Sequence, residues 1–154
     1  MAQAPGQRAV YSAAGMNLLG GVVQQATRTW LPDFIYDEFA RPLGIRHYHV
    51  PLDAAGNAYM AGGMLMLPRD FMKLGQLFLS GGQWRGRRIV SAEFVREATR
   101  RHSTMQPGDY GYGWWIRVVR VGTRDYRTYR AAGNGGQLVI VVPDLERLEV
   151  QGAA

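Results

Sequence analysis

The spacing of apolar residues changes near Pro107. Before this residue, apolar side chains recur three and four positions apart, as they do in amphipathic helices. After it, they occur in short runs rich in Val, Ile, Trp and Tyr that are separated by tight turns, as in antiparallel strands. Helices followed by a strand meander predict the α+β fold class, and a chain of 154 residues can bury one hydrophobic core.

Four helices are predicted in the first part of the chain. They cover residues 16–28, 31–41 and 69–80, and a fourth runs to about residue 101 with Ser91 as its N-cap. The glycine pair Gly20 and Gly21 indicates a close contact of the first helix with a neighbour. Lys73, on the outer face of the third helix, is expected to lie in solvent. The side of the first helix that is predicted to be buried consists of Met16, Leu18, Leu19, Val22, Val23 and Ala26.

Three strands are predicted in the second part, over residues 114–121, 126–131 and 138–142, and a fourth is compatible with residues 148–150. Their short connections indicate an antiparallel meander. Residues 44–67 are rich in turn-forming residues and are predicted to be irregular.

Composition excludes several classes of protein. The chain has no cysteine, which excludes disulfides, a thiol nucleophile and Cys-ligated zinc. No apolar run reaches the roughly 18 residues of a membrane helix, so no membrane span is expected. The first residues lack the pattern of a secretory signal, and the compartment of the protein stays open.

His47 and His49 could share one side of a strand, but no carboxylate-rich motif accompanies them, so neither a metal site nor a cofactor is predicted.

The basic character of the chain has two interpretations. Its formal net charge is +6, and Lys73 is the only lysine among its 18 basic residues. The arginines are scattered and are not interleaved with aromatic side chains, which favours a solvated surface over a nucleic-acid interface. No nucleic-acid partner is therefore expected, although an arginine-rich nucleic-acid binder remains a weaker alternative that a salt titration of DNA affinity would test.

Two short motifs are of the kind that carry chemistry. The first leads from Pro5 and Gly6 to Tyr11 and Ser12 at the start of the first helix, and the second is the glycine-rich turn at residues 131–137. Together with matches at residues 53–63, 68–77, 81–84 and 110–115, they resemble the penicillin-recognising, β-lactamase-like serine hydrolases. That family includes esterases, amide hydrolases, class C β-lactamases, nylon-oligomer hydrolases and D,D-peptidases. The resemblance implies part of the β-lactamase/transpeptidase-like fold.

The resemblance also implies roles for individual residues. Tyr11 would be the catalytic tyrosine, a proton shuttle beside the nucleophile, and Gly133 and Asn134 would form the oxyanion-hole and substrate-binding segment, with the Asn134 amide as a donor. Ala131 stands where many members carry a lysine, which favours the esterase and nylon-oligomer-hydrolase-like branches. Ala13 stands where many carry an asparagine.

The Ser-x-x-Lys motif that supplies the nucleophile of the family is not present in these 154 residues. Residues 1–154 are therefore interpreted as a single partial domain that lacks the N-terminal Ser-x-x-Lys segment and the C-terminal end. The complete enzyme would hydrolyse a small-molecule ester or amide through an acyl-serine, and this fragment would be inactive. The alternative is a non-catalytic binding or interaction module on the same fold.

Two structural expectations follow. The Tyr11 hydroxyl and the Asn134 amide should face one shared cleft. The apolar faces built by Trp114, Ile116, Val139 and Val141 should lack part of their cover, which would favour self-association of the fragment.

Overall fold

The structure is a computed structural model that describes residue 4 and residues 6–152. Pro5, which belongs to the first motif, lies outside the described residues. The helices are α1 (Ala13–Thr27), α2 (Leu31–Ile35), α3 (Pro68–Leu79) and α4 (Ala92–Ala98), and α2 continues as a turn of π-helix over Tyr36–Ala40. Ser91 caps α4 as predicted, because its Oγ accepts a hydrogen bond from the Phe94 amide at 3.0 Å.

The strands form one large sheet and two small ribbons. Residues 44–67 are mostly irregular, as predicted, but they contain the ribbon of β1 (Tyr48–His49) and β2 (Leu65–Met66). The second ribbon pairs β3 (Gln83–Trp84) with β4 (Arg87–Arg88). The six-stranded sheet consists of β5 (Ser103–Met105), β6 (Gly108–Tyr110), β7 (Trp115–Val121), β8 (Arg124–Ala132), β9 (Leu138–Val142) and β10 (Arg147–Gln151).

The sheet is the antiparallel meander that the sequence predicts. Its spatial order, β10-β9-β8-β7-β6-β5, follows the chain, and each strand pairs antiparallel with the next. The hairpin of β5 and β6 was not predicted, because strands of three residues are too short to show a periodic pattern.

Helix α3 covers one face of the sheet and closes the main core. The helix approaches β9 so closely that a Cβ atom on Gly75 would lie 2.6 Å from Val139 Cγ1. Trp114, Ile116, Val139 and Val141 are all buried in this core. The expectation that these four residues lack cover is therefore wrong, since α3 and α4, together with their neighbouring loops, suffice to bury them.

Helix α1 has a different inward side from the one predicted. Gly20 is buried, whereas Leu18, Leu19 and Val22 are exposed. Two polar side chains of α1 determine which side of the helix faces inward. The Met60 amide donates to Asn17 Oδ1 at 2.6 Å, and the Leu31 amide donates to Gln24 Oε1 at 3.0 Å. Gly20 makes the predicted close contact, because a Cβ there would lie 2.8 Å from side-chain atoms of both Leu31 and Met60.

Lys73 is also placed differently from the expectation. Its ammonium lies 2.7 Å from Asp70 Oδ1 and donates to the Gly44 carbonyl at 3.0 Å, with only 22% of the side chain exposed. It thus connects α3 to the loop that follows α2 and is not a free surface charge. None of the helices in the described part of the chain is long and apolar enough to cross a membrane.

Candidate active site

Tyr11 lies in the irregular segment that leads into α1. The next residue, Ser12, is the N-cap of the helix, and its Oγ accepts from the Gly15 amide at 3.3 Å. The cap fixes where the helix begins and leaves the Tyr11 side chain 49% exposed, on the outside of the helix entry. A phenol in this position can contact both the protein and a bound molecule.

The Tyr11 ring packs against two aromatic side chains of the sheet. Its centroid lies 6.1 Å from that of Tyr110, edge to face, and 6.0 Å from that of Trp115. Tyr110 and Trp115 are register partners in β6 and β7, with their ring centroids 4.7 Å apart. Burial, and then the neighbouring Tyr11, raise the pKa of Tyr110. These contacts hold Tyr11 at one end of the sheet.

Gly133 and Asn134 lie in the exposed turn between β8 and β9. The Gly133 amide donates to the Gln137 carbonyl at 2.8 Å, which closes the turn. A Cβ on Gly133 would lie 2.7 Å from Gln137 Oε1, so the absence of a side chain leaves room for Gln137. Gly135 and Gly136 both have a positive φ, of 128° and 88°, which glycine adopts most readily.

The sheet register relates Tyr11 to this turn. Trp115, on which Tyr11 packs, is paired with Arg130 of β8, and Gly133 follows three residues later. Both candidate segments therefore lie at the same end of the sheet. No hydrogen bond joins Tyr11 to Gly133 or Asn134 among the described residues, and the shared cleft of the Tyr11 hydroxyl and the Asn134 amide stays a prediction.

The backbone of β8 is only partly paired where it approaches the turn. Its ladder with β9 continues to Ala132, opposite Leu138, but its ladder with β7 ends at Arg130, opposite Trp115. The edge of β8 at residues 131–133 is therefore not paired with β7. An unpaired strand edge offers backbone donors and acceptors to an extended ligand.

Arg130 is a residue of this region that the sequence analysis did not identify. Its Nε is buried without a hydrogen-bond partner among the described residues. Burial, and then the charge of Arg117, lower the pKa of the Arg130 guanidinium. Strand alternation in the sequence would place Arg130 on the same face of the sheet as Trp115. This pattern did not single out Arg130 as a site residue, because an arginine in a strand is ordinarily a surface residue.

No cluster of three or more His, Cys, Asp or Glu side chains with the geometry of a metal site occurs in the part of the chain that the structure describes.

Comparison with known proteins identifies the family. The family model described as β-lactamase matches residues 1–148. The chain belongs to the β-lactamase family. No curated protein sequence matches this β-lactamase-family chain.

Solved structures show the same fold. A protein described as a 6-aminohexanoate-dimer hydrolase from Bacillus anthracis superposes with a TM-score of 0.80 at 19% identity, over 95% of this chain and 38% of that chain. A protein described as a β-lactamase from Bacteroides dorei gives 0.76 at 22% identity, over 97% and 52%. An octameric penicillin-binding protein homologue from Pyrococcus abyssi gives 0.73 at 19% identity, over 95% and 38%. The β-lactamase-family chain thus spans between 38% and 52% of the length of these structures.

Proposed function

We propose that this chain is the tyrosine- and oxyanion-bearing part of a serine hydrolase that cleaves small-molecule esters or amides through an acyl-serine. Membership of the β-lactamase family supports the reaction class. The observation that carries the proposal is the packing of Tyr11 on Trp115, because Trp115 is paired with Arg130 close to the Gly133 turn. This packing supports a site at that end of the sheet to which residues of both motifs would contribute.

Tyr11 would transfer the proton in this reaction. Acyl transfer requires a group that takes the proton of the nucleophile and returns it to the leaving group. A phenol has an ordinary pKa near 10, so it needs a neighbouring cation to act as a base near neutral pH. Lys73 is engaged with Asp70 and Gly44 and is not that cation. The family pattern supplies it from the lysine of Ser-x-x-Lys.

The Gly133–Asn134 segment would stabilise the oxyanion. A tetrahedral intermediate places negative charge on the former carbonyl oxygen, and backbone amides that are already oriented stabilise that charge without reorganisation. The Asn134 amide is the candidate donor, and the edge of β8 at residues 131–133 could pair with the substrate backbone or acyl chain. A second donor would come from the nucleophile's own amide.

The nucleophile is the part of the machinery that this sequence lacks. None of its serines is followed three residues later by a lysine. Ser12 adjoins Tyr11, but its hydroxyl accepts the capping bond of α1. We infer that the 154 residues alone do not form an acyl-enzyme, since a tyrosine and an oxyanion amide cannot replace the attacking oxygen.

Two measurements test the proposal. The chain is treated with a fluorophosphonate probe, and no serine should be labelled when the intact mass is read. A longer chain is then expressed that includes any Ser-x-x-Lys encoded in frame upstream of Met1, and its new serine should be labelled. In that longer chain Tyr11→Phe should slow labelling by about 10²-fold or more, whereas Tyr112→Phe, an exposed control, should not. Labelling of a serine within the 154 residues would overturn the assigned roles.

A non-catalytic binding module is the second candidate. It is favoured by the absence of Ser-x-x-Lys together with a retained and partly unpaired β8 edge. If no upstream Ser-x-x-Lys is encoded, or if the longer chain folds but neither labels nor hydrolyses p-nitrophenyl acetate, this candidate replaces the hydrolase.

A further inference from the structure

A cavity of about 290 Å³ lies between α1 and the loop that joins β1 to β2. One wall is formed by α1, and the other by a turn that begins at Asp53. The turn is held in place because Trp30 Nε1 donates to the Gly56 carbonyl at 3.1 Å. Neither Tyr11 nor the Gly133–Asn134 segment lines this cavity, so it is separate from the candidate active site. Its polar lining residues are Asn17, Gln24, Asp53 and Asn57, and the others are glycine or aliphatic.

Asp53 is the one charged residue in this lining. Its Oδ1 accepts from the amides of Ala55 and Asn57, each at 2.9 Å, and these bonds fix the carboxylate at the start of the turn. The bond from the Asn57 amide is the main reason that the pKa of Asp53 lies below its ordinary value, an effect that desolvation partly opposes. Asp53 forms no salt bridge within the described residues. The lining thus carries a negative charge that is left for a cation.

The side chains of Asn17 and Gln24 provide hydrogen-bond donors to the same cavity. Asn17 Oδ1 accepts from the Met60 amide at 2.6 Å, and Gln24 Oε1 accepts from the Leu31 amide at 3.0 Å. These bonds determine how both side-chain amides are oriented, because a backbone N–H can donate only to the oxygen. Among the described residues, no hydrogen bond engages either NH₂ group. Each NH₂ group therefore remains a donor that suits an acceptor oxygen and not a cation.

We propose that this cavity binds a small α-amino acid amide, in which an ammonium group and a carbonyl oxygen are carried by neighbouring carbon atoms. The ammonium would pair with the Asp53 carboxylate in a charge-assisted hydrogen bond, and the carbonyl oxygen would accept from the NH₂ groups of Asn17 and Gln24. The volume of about 290 Å³ lies at the lower limit of the roughly 300–1,000 Å³ of pockets that hold drug-sized ligands, so the cavity suits a small molecule.

Three small molecules test this proposal on the 154-residue chain at about pH 6.5, where an α-amino group is protonated. Glycinamide carries both groups, ethylamine carries only the ammonium, and acetamide carries only the carbonyl. The readout is the side-chain NMR signal of each asparagine in protein labelled with isotopic nitrogen on asparagine. Asn17 and Asn57 line the cavity, whereas Asn134 lies in the glycine-rich turn and is the internal reference. Glycinamide should shift the Asn17 and Asn57 signals in a saturable way, and the other two molecules should bind about tenfold more weakly.

Three variants separate the two halves of the site. Asp53→Asn keeps the oxygen that accepts from the turn and removes the charge, so glycinamide should bind about tenfold more weakly, as acetamide does. Gln24→Glu keeps the oxygen that accepts from Leu31 and removes the NH₂ group, so the preference for glycinamide over ethylamine should shrink. Asp144→Asn removes the same charge from an exposed position outside the cavity and should change nothing.

Four outcomes would overturn the proposal. They are equal binding of the three molecules, no shift with any of them, a shift at Asn134 as large as those at Asn17 and Asn57, and equal effects of Asp53→Asn and Asp144→Asn. The comparison of the three molecules uses the unmodified chain, so it decides the question even if a variant does not fold.

Discussion

The indole of Trp115 lies against the phenol ring of Tyr11, with the ring centroids 6.0 Å apart. This contact connects the segment before α1 to the start of β7, two parts of the chain that are far apart in sequence. Since Trp115 pairs with Arg130 in β8, the same contact fixes Tyr11 relative to the strand that leads to Gly133. The position of the tyrosine therefore depends on the sheet rather than on α1 alone.

The close packing of α3 on β9 gives a first prediction. Gly75→Ala should lower the free energy of unfolding by about 1–3 kcal/mol, because its Cβ would lie 2.6 Å from Val139 Cγ1. Gly21→Ala in α1 is the matched control, since its Cβ meets nothing within 4 Å and alanine favours helix by up to about 1 kcal/mol. Urea unfolding followed by circular dichroism measures both. Equal stability of the Gly75→Ala variant and the unmodified chain would contradict the packing.

The clamp formed by Lys73 gives a second prediction. Lys73→Met should cost about 1–3 kcal/mol in unfolding free energy, because it leaves the carboxylate of Asp70, 11% exposed, without its cation. Adding Asp70→Asn to this variant should recover part of the loss. Arg120→Gln removes one partner of an exposed ion pair with Asp125 and should cause no measurable change. A Lys73→Met variant as stable as the unmodified chain would restore the expectation of a solvated lysine.

Much of the fold could be predicted from local pattern. The run Leu138–Val142 coincides with β9, and the helical spacing from Arg69 onward corresponds to α3. The order of helices and strands then determined the fold class, because short connections allow few arrangements other than a meander. The family resemblance rested on the same ordered motifs.

Other features depended on tertiary contacts that no local pattern contains. The Met60 amide donates to Asn17 and the Leu31 amide donates to Gln24. These hydrogen bonds, rather than the apolar pattern of the helix, determine which side of α1 faces inward. Likewise, the Lys73 ammonium donates a hydrogen bond to the Gly44 carbonyl, which lies 29 positions away in sequence. A cavity beside Arg8 lies between the segment that precedes α1 and the β5–β6 hairpin, and sequence periodicity cannot reveal that these two segments meet.

The buried phenol of Tyr129 gives a prediction on pH. Burial raises the pKa of Tyr129 to about 12, an effect that Arg127 partly opposes. The unfolded chain releases this proton near pH 10 and the folded chain only near pH 12, so the folded state binds more protons between these values. Stability from this group is complete below pH 10 and falls as the pH rises to 12, by about 2–3 kcal/mol.

Tyr129→Phe should remove this part of the alkaline loss. The measurement is the urea midpoint at pH 8, 10 and 11, compared with Tyr126→Phe as a control at a less buried tyrosine of the same strand. The fall of the urea midpoint with rising pH should be shallower for Tyr129→Phe than for the unmodified chain. For Tyr126→Phe it should be as steep as for the unmodified chain. Identical slopes for all three proteins would show that the Tyr129 hydroxyl does not titrate differently in the folded and unfolded states.

Self-association of the chain stays a prediction, but the structure changes the surface on which it rests. The four sheet residues that were expected to lack cover are buried. By contrast, Leu18, Leu19 and Val22 expose 74%, 54% and 62% of their surfaces on one side of α1. Removing these three side chains from water together would favour association by the hydrophobic effect.

The double variant Leu18→Gln, Val22→Gln should shift the chain toward monomer without loss of thermal stability, because neither side chain contributes to the folded core. Size-exclusion chromatography with light scattering, over a hundredfold range of protein concentration, measures the association. The double variant Val118→Gln, Val121→Gln is the matched control, since it removes two similarly exposed side chains from β7. An effect of the control alone would place the contact on the sheet, and a monomer at every concentration would exclude self-association through α1.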